Sequence, residues 1–256
     1  MITGSTEGLG LMAGRLLIGQ GHQVTAHARN TQRAEDARRA LPSAEAIVVG
    51  DLSTIHGMHQ AASQANERGH FDAVIHNAGV GSLDQSRTQT PDGLSRTFAV
   101  NVLAPYVLTM TMDRPGRLVY LSSQMQFYTD LEMDDLQWAR RRWDGGSSYG
   151  ESKLCDVMLA FAFARLWPSV LSNAVTPGWV ATKMGGHGAP DALSLGPVTQ
   201  SWLAVSDDPA ALVSGRYFYH QREREASALA SRHGLQEQLL AYCAKLSGVP
   251  EPRPDK

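Results

Sequence analysis

Five short apolar runs recur along the chain, and a longer stretch with a helical pattern follows each of them. The runs are HQVTAHA from residue 22, AEAIVVGD from 44, FDAVIHNAG from 71, GRLVYLSS from 116 and VLSNAVTPG from 170. Runs of this length, rich in valine and isoleucine, are typical of buried strands. Their alternation with amphipathic segments predicts an α/β fold, in which a doubly wound parallel sheet carries helices on both faces.

Helix signals and loop signals divide the rest of the chain. Helices are predicted over residues 8–20, from just after Thr31 to just before Pro42, over 92–110, over 148–166, and in the C-terminal segment near 233–256, which should end in a disordered tail. Two excursions, residues 124–147 and 183–200, are longer than usual connections. We expect one domain over residues 1–256, with the excursions as a substrate wall or lid, or as surface loops without function.

Composition excludes several function classes. A hydrophobic share of 43% and a net charge of −2 give no electrostatic reason to expect nucleic acid or an anionic membrane as a partner. The only cysteines, Cys155 and Cys243, lie far apart and outside any metal-ligand spacing, so neither a disulfide framework nor a metal site is expected. No apolar run reaches the length of a membrane span, and the N-terminus lacks a secretory signal, which favours a cytoplasmic protein.

The stretch TGSTEGLG, residues 3–10, is a candidate phosphate-binding turn. Its glycines at positions 4, 8 and 10 would let the backbone approach a pyrophosphate, whose charge would be met by free N–H groups at the start of the next helix. Glycine-rich turns are common, so this motif alone is a weak indication of a nucleotide site. Support has to come from the ends of the other strands.

Arg29 stands at the end of the predicted strand HQVTAHA, at the position where nucleotide folds distinguish two cofactors. A carboxylate here binds the ribose 2′-OH of NAD, whereas an arginine accommodates the 2′-phosphate of NADP. Ala28 stands in place of the carboxylate and Arg29 follows it, which favours NADP(H). Glu7 opposes this preference, because an acidic side chain in the phosphate turn would repel a 2′-phosphate. Alternatively, Arg29 is simply a solvated strand end.

Two further strand ends carry candidate cofactor contacts. Asp51, in GDL, is placed to accept a hydrogen bond from the adenine amino group, and Asn77-Ala78-Gly79 would let the backbone pass beside the ribose. His76 precedes them, and a lone histidine at a buried strand end is more often packed in the core than catalytic. We therefore expect His76 to be structural.

The segment SSYGESKL places a tyrosine and a lysine on one face of a predicted helix. Tyr149 and Lys153 are four residues apart, so they lie one turn from each other. A phenol has an ordinary pKa near 10, and a nearby ammonium lowers that pKa, as acid/base work at neutral pH requires. Ser122 and Ser123 end a strand at the same sheet edge, where a hydroxyl would bond a substrate carbonyl.

Taken together, these motifs carry a resemblance to a known family. TGSTEGLG, GDLS, HNAG, FAVN, LVYLSS, YGESK and TPGWVAT occur in the order typical of short-chain dehydrogenases/reductases, and they extend through most of the chain. The resemblance implies a Rossmann-like sheet of about seven strands. It also implies an NAD(P)-dependent oxidoreductase, with NADPH favoured, that reduces a ketone or aldehyde or runs the reverse alcohol oxidation.

The resemblance also assigns roles to individual residues. Tyr149 would exchange the proton, Lys153 would hold the nicotinamide ribose and lower the tyrosine pKa, and Ser123 would polarise the substrate oxygen. Asn101 would position a water for proton relay. The implied cofactor-binding set is Thr3, Gly4, Ser5, Thr6, Gly8, Leu9, Gly10, Arg29, Asp51, Leu52, Asn77, Ala78, Gly79, Tyr149, Lys153, Pro177, Gly178, Val180 and Thr182.

The insert before Tyr149, which contains MDDLQW and a run of arginines, is similar to that of the retinol dehydrogenase-like branch, whose relatives include ketoreductases. The implied substrate is a small hydrophobic carbonyl or alcohol, and the protein would be a monomer or homodimer. Aromatic and apolar residues of the two excursions either line a hydrophobic cleft or pack under a loop: Phe127, Trp138, Trp143, Trp179 and Met184.

Two alternatives stay open at this stage. Only Met1 and Ile2 precede the glycine turn, so the central first strand is predicted to be truncated, leaving a seam of unpaired backbone groups. An upstream true start explains this better than a truncated product, since every later motif is intact. The alternative function is a non-catalytic NADP-binding sensor, although such proteins commonly lose the tyrosine or the lysine, and this chain has both.

Overall fold

The computed structural model describes residues 1–81 and 84–255. All five predicted strand runs are strands, and two short strands follow them. The strands are β1 (Thr25–Ala28), β2 (Ala46–Val49), β3 (Ala73–His76), β4 (Arg117–Leu121), β5 (Leu171–Thr176), β6 (Tyr217–Tyr219) and β7 (Arg222–Arg224). The α/β prediction is therefore confirmed.

The sheet is parallel except at one edge. β1 pairs with β2, and β3, β4, β5 and β6 follow one another in parallel, while β7 adds antiparallel to β6. Each crossover between parallel strands carries the chain over one face of the sheet, which brings the carboxyl ends of the strands to the same edge. That edge is where all the candidate site residues lie.

Residues 1–3 occupy the gap between β1 and β3. Ile2 forms parallel bridges with Ala26 and Ile75. Its N–H donates to the Thr25 carbonyl at 3.0 Å, and the Ile75 N–H donates to the Met1 carbonyl at 2.9 Å. The Thr3 N–H returns a bond of 2.9 Å to the Ile75 carbonyl. The expected open seam is therefore wrong, because these few residues supply the central hydrogen bonds that join the two parts of the sheet.

Eight α-helices are present in the described part of the chain. They are α1 (Gly8–Gly19), α2 (Thr31–Ala40), α3 (Ile55–Asn66), α4 (Arg96–Phe98), α5 (Ala104–Thr111), α6 (Gly145–Leu166), α7 (Val198–Val205) and α8 (His233–Ser247). α3 and α7 were not among the predicted helices. The predicted helix over 92–110 begins later, at Arg96, and a π-helical turn, Ala99–Leu103, joins α4 to α5.

Side-chain caps fix the starts of the helices that flank the site. The Asn30 side chain accepts the Arg33 N–H at the start of α2, and Asp144 accepts the Ser147 N–H at 2.7 Å at the start of α6. Such caps satisfy backbone donors that the helix itself leaves unpaired. Glu7, at the start of α1, makes no side-chain cap bond. The first N–H groups of α1 are therefore left for another acceptor.

Apolar side chains cover both faces of the sheet. One core contains residues of α3, α5, α6 and α8, with Tyr106, Met158 and Phe163 fully buried. The other contains residues of α1 and α7 packed on Ile2, Ile75 and the centre of the sheet. Helices thus lie on both faces, as the alternating sequence pattern predicts.

The segment after α8 is docked rather than disordered. The Tyr106 hydroxyl donates to the Pro250 carbonyl at 2.9 Å, and the Trp167 indole donates to the Arg253 carbonyl at 3.1 Å. The Asp255 N–H bonds the Leu166 carbonyl at 2.9 Å, and its carboxylate pairs with Arg114. The predicted disordered tail is wrong, because donors on distant elements reach its polar backbone groups.

Candidate active site

The glycine turn forms an open cradle over the start of α1. Gly4 has a φ of +62°, and a side chain there would place its Cβ 2.9 Å from the Ala78 Cα. A side chain at Gly10 would collide with the Asn77 amide. Beside Gly8, which also has a positive φ, no protein atom lies within 4 Å of a built Cβ. Backbone at van der Waals distance, an open outer side and uncapped N–H groups are what a pyrophosphate requires.

The hydroxyl groups of the turn hold it in shape. Ser5 is fully buried; its hydroxyl donates to the Ile2 carbonyl and accepts the His27 N–H, both at 2.9 Å. Thr3 accepts the N–H groups of Asn77 and Ala78 at 2.9 and 3.0 Å. These two predicted cofactor residues therefore have engaged side chains, and any cofactor contact by them would use the backbone.

The Glu7 carboxylate forms ion pairs with two cations. Its carboxylate lies 3.1 Å from Arg33 and 2.5 Å from Lys183, and the hydrogen bond from Lys183 is the main cause of its lowered pKa. Arg33 also donates to the Thr6 hydroxyl at 3.1 Å. Arg33, on the first turn of α2, was missed by the sequence analysis. An acidic residue in a phosphate turn is a signal to look for such a counter-ion.

Other predicted cofactor residues lie where expected along the sheet edge. Arg29 is exposed immediately after β1, and Asp51 is exposed after β2 with its carboxylate accepting the Ser53 N–H at 2.9 Å. Leu52 is buried beneath them. His76 is buried and bonds the Thr109 hydroxyl at 2.9 Å, in keeping with the structural role predicted for it.

Tyr149 and Lys153 share one face of α6 at the ends of β3 and β4. The Lys153 ammonium lies 5.7 Å from the Tyr149 ring centroid. Lys153 is buried and donates to the Leu121 carbonyl at 2.7 Å and to Asp156 at 2.8 Å. Burial raises the pKa of the Tyr149 phenol, and Lys153 and Ser123 only partly offset this. Lys153 thus lowers the Tyr149 pKa as expected, but burial raises it by more, so the pKa of the phenol lies above its ordinary value.

The two serines at the end of β4 have different surroundings. Ser122 is buried, and its hydroxyl donates to the Lys153 backbone carbonyl at 2.7 Å. Ser123 is only partly buried; its hydroxyl accepts the Met125 N–H at 3.2 Å and interacts with the Tyr149 phenol. Ser123 therefore faces the tyrosine, whereas Ser122 ties the strand to α6.

Asn101 lies within the π-helical turn and is fully buried. Its carboxamide accepts the Val80 N–H at 2.8 Å, and it donates to the Val80 carbonyl at 2.9 Å and to the Ser152 hydroxyl at 2.8 Å. The side chain thus joins the loop after β3 to α6. Since its amide groups are engaged with the protein, any water held by this residue would fall to its backbone carbonyl.

The loop after β5 folds back through Asp191. Gly178 has a φ of +85°, and the Asp191 carboxylate accepts the Trp179 N–H at 2.6 Å. Val180, which is buried, forms a bridge with Asp191. Thr182 accepts the Gly185 N–H at 3.2 Å. This arrangement places Pro177 and the following residues opposite the glycine turn, and Asp191 is a second residue that the sequence analysis missed.

The chain is similar in sequence and structure to proteins of one known family. The short chain dehydrogenase model matches residues 1–134 of the 256, slightly more than half of the chain. An uncharacterized oxidoreductase of Emericella nidulans is 43% identical over 255 residues, covering 98% of this chain and 97% of its own. The chain belongs to the short-chain dehydrogenase/reductase family.

Other relatives extend this result. A Streptomyces sp. (strain C5) protein, provisionally named daunorubicin C-13 ketoreductase, is 31% identical over 268 residues, covering 97% of this chain and 92% of its own. Human retinol dehydrogenase 13 is 26% identical over 286 residues, covering 98% and 85%. This short-chain dehydrogenase/reductase is therefore an oxidoreductase with retinol dehydrogenase-like relatives, as the insert predicts. The enzyme assignment is favoured over the sensor alternative.

Solved structures confirm the fold. A protein of Mycobacterium paratuberculosis superposes with a TM-score of 0.83 at 23% identity, covering 98% of this chain and 93% of its own. An NADPH-bound carbonyl reductase from chicken fatty liver gives a TM-score of 0.65 at 21% identity, covering 88% and 98%. No helix in the described residues has both the length and the apolar character needed to cross a membrane.

The insert before α6 is anchored by a buried ionic cluster. Glu151 is buried and accepts bonds from the Glu132 N–H at 2.8 Å, the Trp138 indole at 2.6 Å and Arg141 at 2.8 Å. Arg141 also stacks over the Trp138 ring at 4.0 Å and pairs with Asp135 at 3.3 Å. This part of the predicted lid is therefore fixed onto α6, two residues beyond Tyr149.

Aromatic residues of the excursions divide into two groups. Trp138 is buried in the cluster, and the Trp143 indole bonds the Asp84 carbonyl at 2.9 Å. For these two, packing under a loop is the better interpretation. Phe127 and Trp179 are 45% and 58% exposed, which leaves them available to a substrate.

Proposed function

We propose that this dehydrogenase/reductase uses NADPH to reduce a ketone or aldehyde to an alcohol, or catalyses the reverse oxidation, with Tyr149 as the acid/base. The observation that carries the proposal is the arrangement of Tyr149 with Lys153 and the partly exposed Ser123 at the carboxyl edge of the sheet. The provisional ketoreductase name of the Streptomyces relative supports the same reaction class.

The residues of the chain have separable tasks in this reaction. Bound NADPH supplies the hydride. Tyr149 donates its proton to the substrate oxygen, for which its raised pKa keeps it protonated at neutral pH. The Ser123 hydroxyl donates a hydrogen bond to the same oxygen and stabilises the charge that develops there. Lys153 places a positive charge beside the phenol, and Asn101 holds the Val80 loop against α6.

The glycine turn and the strand ends fit an NADP(H) molecule. The pyrophosphate would lie on the free N–H groups after Glu7, and the ribose beside Asn77, Ala78 and Gly79. A built Cβ at Gly79 lies 3.4 Å from the Lys153 ammonium, so the backbone of this loop passes directly beside the lysine. Arg29 and Arg33 would face the 2′-phosphate, and Glu7 loses its repulsive effect because Arg33 and Lys183 neutralise it.

The exposed apolar residues support a hydrophobic substrate. Phe127 and Tyr128 follow Ser123 within one short segment, while Trp179 and Leu195 belong to the loop after β5. Exposed apolar side chains on loops near a site can contribute to the binding of an apolar ligand. We also propose that residues 1–256 form one domain, because helices from both halves of the chain cover the two faces of the same sheet.

Arg33→Met is expected to raise the KM for NADPH by about tenfold while changing the KM for NADH by less than about threefold. The substitution removes a cation from the 2′-phosphate side and leaves Glu7 with one counter-ion instead of two. Steady-state kinetics with both cofactors measures the ratio. Arg39→Met is the matched control, since Arg39 also pairs with Asp36 on α2 but is 67% exposed. An equal change for both cofactors would contradict the role given to Arg33.

The experiment that tests the proposed function is an absorbance assay of cofactor oxidation. The purified protein is incubated with NADPH or NADH and a panel of aromatic and aliphatic ketones, aldehydes and quinones. We expect turnover with at least one apolar carbonyl compound and a preference for NADPH. Tight NADPH binding without turnover of any panel member would instead support the sensor alternative.

A further inference from the structure

A buried carboxylate stands one helical turn beyond the lysine of the site. Asp156 is only 2% exposed, and its Oδ2 lies 2.8 Å from the Lys153 ammonium. Lys153 is 4% exposed, and its second bond, of 2.7 Å, goes to the Leu121 carbonyl. Two of the three ammonium protons are thus directed into the protein, and one is left for another acceptor.

An ammonium in this position needs a counter-charge. Burial without a partner favours the neutral amine, and fully buried lysines lose their proton several pH units below the ordinary value. Here burial lowers the pKa of Lys153, but its interactions with the protein, that with the charge of Asp156 first among them, more than offset this, so that the pKa is raised. The Leu121 carbonyl accepts a bond but carries no full charge. The Asp156 carboxylate is therefore the group that keeps the Lys153 ammonium protonated.

We propose that Asp156 is a positioning residue of the active site, whose carboxylate keeps Lys153 protonated and fixes its ammonium beside Tyr149. The Lys153 ammonium makes one hydrogen bond to Asp156 on α6 and one to the Leu121 carbonyl on β4, so the lysine side chain has little freedom to move. This inference rests on the proposed function only for the task of Lys153. The Lys153–Asp156 pairing itself needs neither substrate nor cofactor.

Several other titratable groups surround the pair. Tyr149 and Cys155 lie on α6, and Tyr120 faces Asp156 from β4; the Asp156 charge raises the pKa of each of these groups. Glu151 lies one turn before Cys155 and also raises the thiol pKa. None of these neighbours is a cation, so Lys153 is the positive group that stabilises the Asp156 carboxylate among the described residues.

The pairing has a consequence for Tyr149. Lys153 lowers the pKa of the phenol, whereas Asp156 raises it and so opposes part of the effect of the lysine. Burial is then the deciding contribution, and the phenol stays protonated. Asp156 thereby keeps the lysine charged without letting it ionise the tyrosine, which suits a proton donor in carbonyl reduction.

The composition of the chain makes the lysine titration directly measurable. The sequence contains four lysines, Lys153, Lys183, Lys245 and Lys256. Protein labelled with ¹³C at lysine Cε therefore gives four side-chain NMR signals, and Lys153→Met identifies the one that belongs to the site. The signals are followed with pH in the cofactor-free wild-type protein, in Asp156→Asn and in Glu151→Gln. Glu151 is the matched control, because it is an equally buried carboxylate on the same helix that bonds the insert instead of Lys153.

In the wild-type protein we expect the Lys153 signal to remain that of the charged form beyond about pH 10. In Asp156→Asn it should titrate at least about one pH unit lower, with the alkaline limb of kcat moving down with it. Glu151→Gln should leave the Lys153 titration in place. If Asp156→Asn does not fold, the wild-type titration decides alone.

A wild-type Lys153 that loses its proton before the exposed Lys183 and Lys245 would overturn the proposal. So would an Asp156→Asn titration that coincides with the wild type. Both readings are made without NADPH or a carbonyl compound. A failure of the reductase assay with a normal Lys153 titration would therefore count against the proposed function and leave the Asp156 pairing intact.

Discussion

Tyr149→Phe is expected to lower kcat for carbonyl reduction by about 10²–10⁴-fold while leaving the Kd for NADPH within about threefold. The substitution removes only the phenol hydroxyl, which is the proton donor to the substrate oxygen. The ring stays and keeps its position 5.7 Å from the Lys153 ammonium. Single-turnover kinetics would measure the chemical step, and quenching of tryptophan fluorescence would measure cofactor binding.

Tyr128→Phe is the matched control for this loss. Tyr128 is 78% exposed and ends the short helical segment that follows Ser123, so its substitution removes a phenol hydroxyl from the protein surface. We expect its substitution to change KM for an apolar substrate more than kcat. Tyr149→Phe protein that retains more than a tenth of wild-type kcat would exclude Tyr149 as the acid/base. A parallel loss of NADPH binding would indicate a structural defect instead.

Periodicity and motif order predict the fold of this chain well. The strands β1, β3, β4 and β5 are almost entirely buried, and the runs that contain the strands are rich in apolar residues, so they stand out from the helical pattern between them. The site motifs are also local in sequence. Because parallel strands bring their carboxyl ends to one edge, residues as distant as Gly4 and Thr182 are expected to meet there.

Contacts made by long side chains across the fold could not be predicted in the same way. Lys183 reaches Glu7 across 176 positions, and no periodic pattern encodes that distance in sequence. The sequence therefore indicates that Glu7 would repel a 2′-phosphate, because the sequence does not show its two counter-ions, Arg33 and Lys183. Asp156 could not be predicted for another reason. A carboxylate on an apolar helix is not expected to be buried unless a cation lies next to it, and the sequence alone does not show that contact.

Hydrogen bonds made by residues 1–3 decide whether the sheet has an open seam between β1 and β3. A missing central strand would leave the backbone groups of β1 and β3 unpaired, at a cost larger than the stability of a domain. Met1, Ile2 and Thr3 instead make bonds to both neighbours at 2.9 to 3.0 Å. The small number of residues before the glycine turn predicts a gap in the sheet, but Met1, Ile2 and Thr3 are enough to fill the space between β1 and β3.

Arg141→Met is expected to reduce the free energy of unfolding by about 3–5 kcal/mol and the Tm by on the order of 10 °C. Arg141 is the cation of the insert cluster, and its removal leaves Glu151 charged and 2% exposed with only N–H donors. It also removes the cation stacked on Trp138. Chemical denaturation at neutral pH measures the first quantity, and thermal denaturation measures the second.

A neighbouring arginine and the partner carboxylate provide the controls for this effect. Arg142 is exposed, so Arg142→Met should change the free energy of unfolding by less than about 0.5 kcal/mol. Arg141→Met combined with Glu151→Gln should recover part of the loss, because the double variant no longer buries an unpaired charge. A double variant with the full sum of both single losses would show that packing, and not charge, explains the cluster.

Acidification should relieve the Arg141→Met defect. Burial already raises the pKa of Glu151 in the folded protein, and loss of Arg141 removes an interaction that lowers it. A carboxyl whose folded pKa exceeds its unfolded value destabilises the fold when ionised, and this penalty declines as the pH falls through the folded pKa. The stability difference between wild type and Arg141→Met should therefore narrow between neutral pH and about pH 5. A difference that stays constant over this range would mean that Glu151 is not the charge left unpaired.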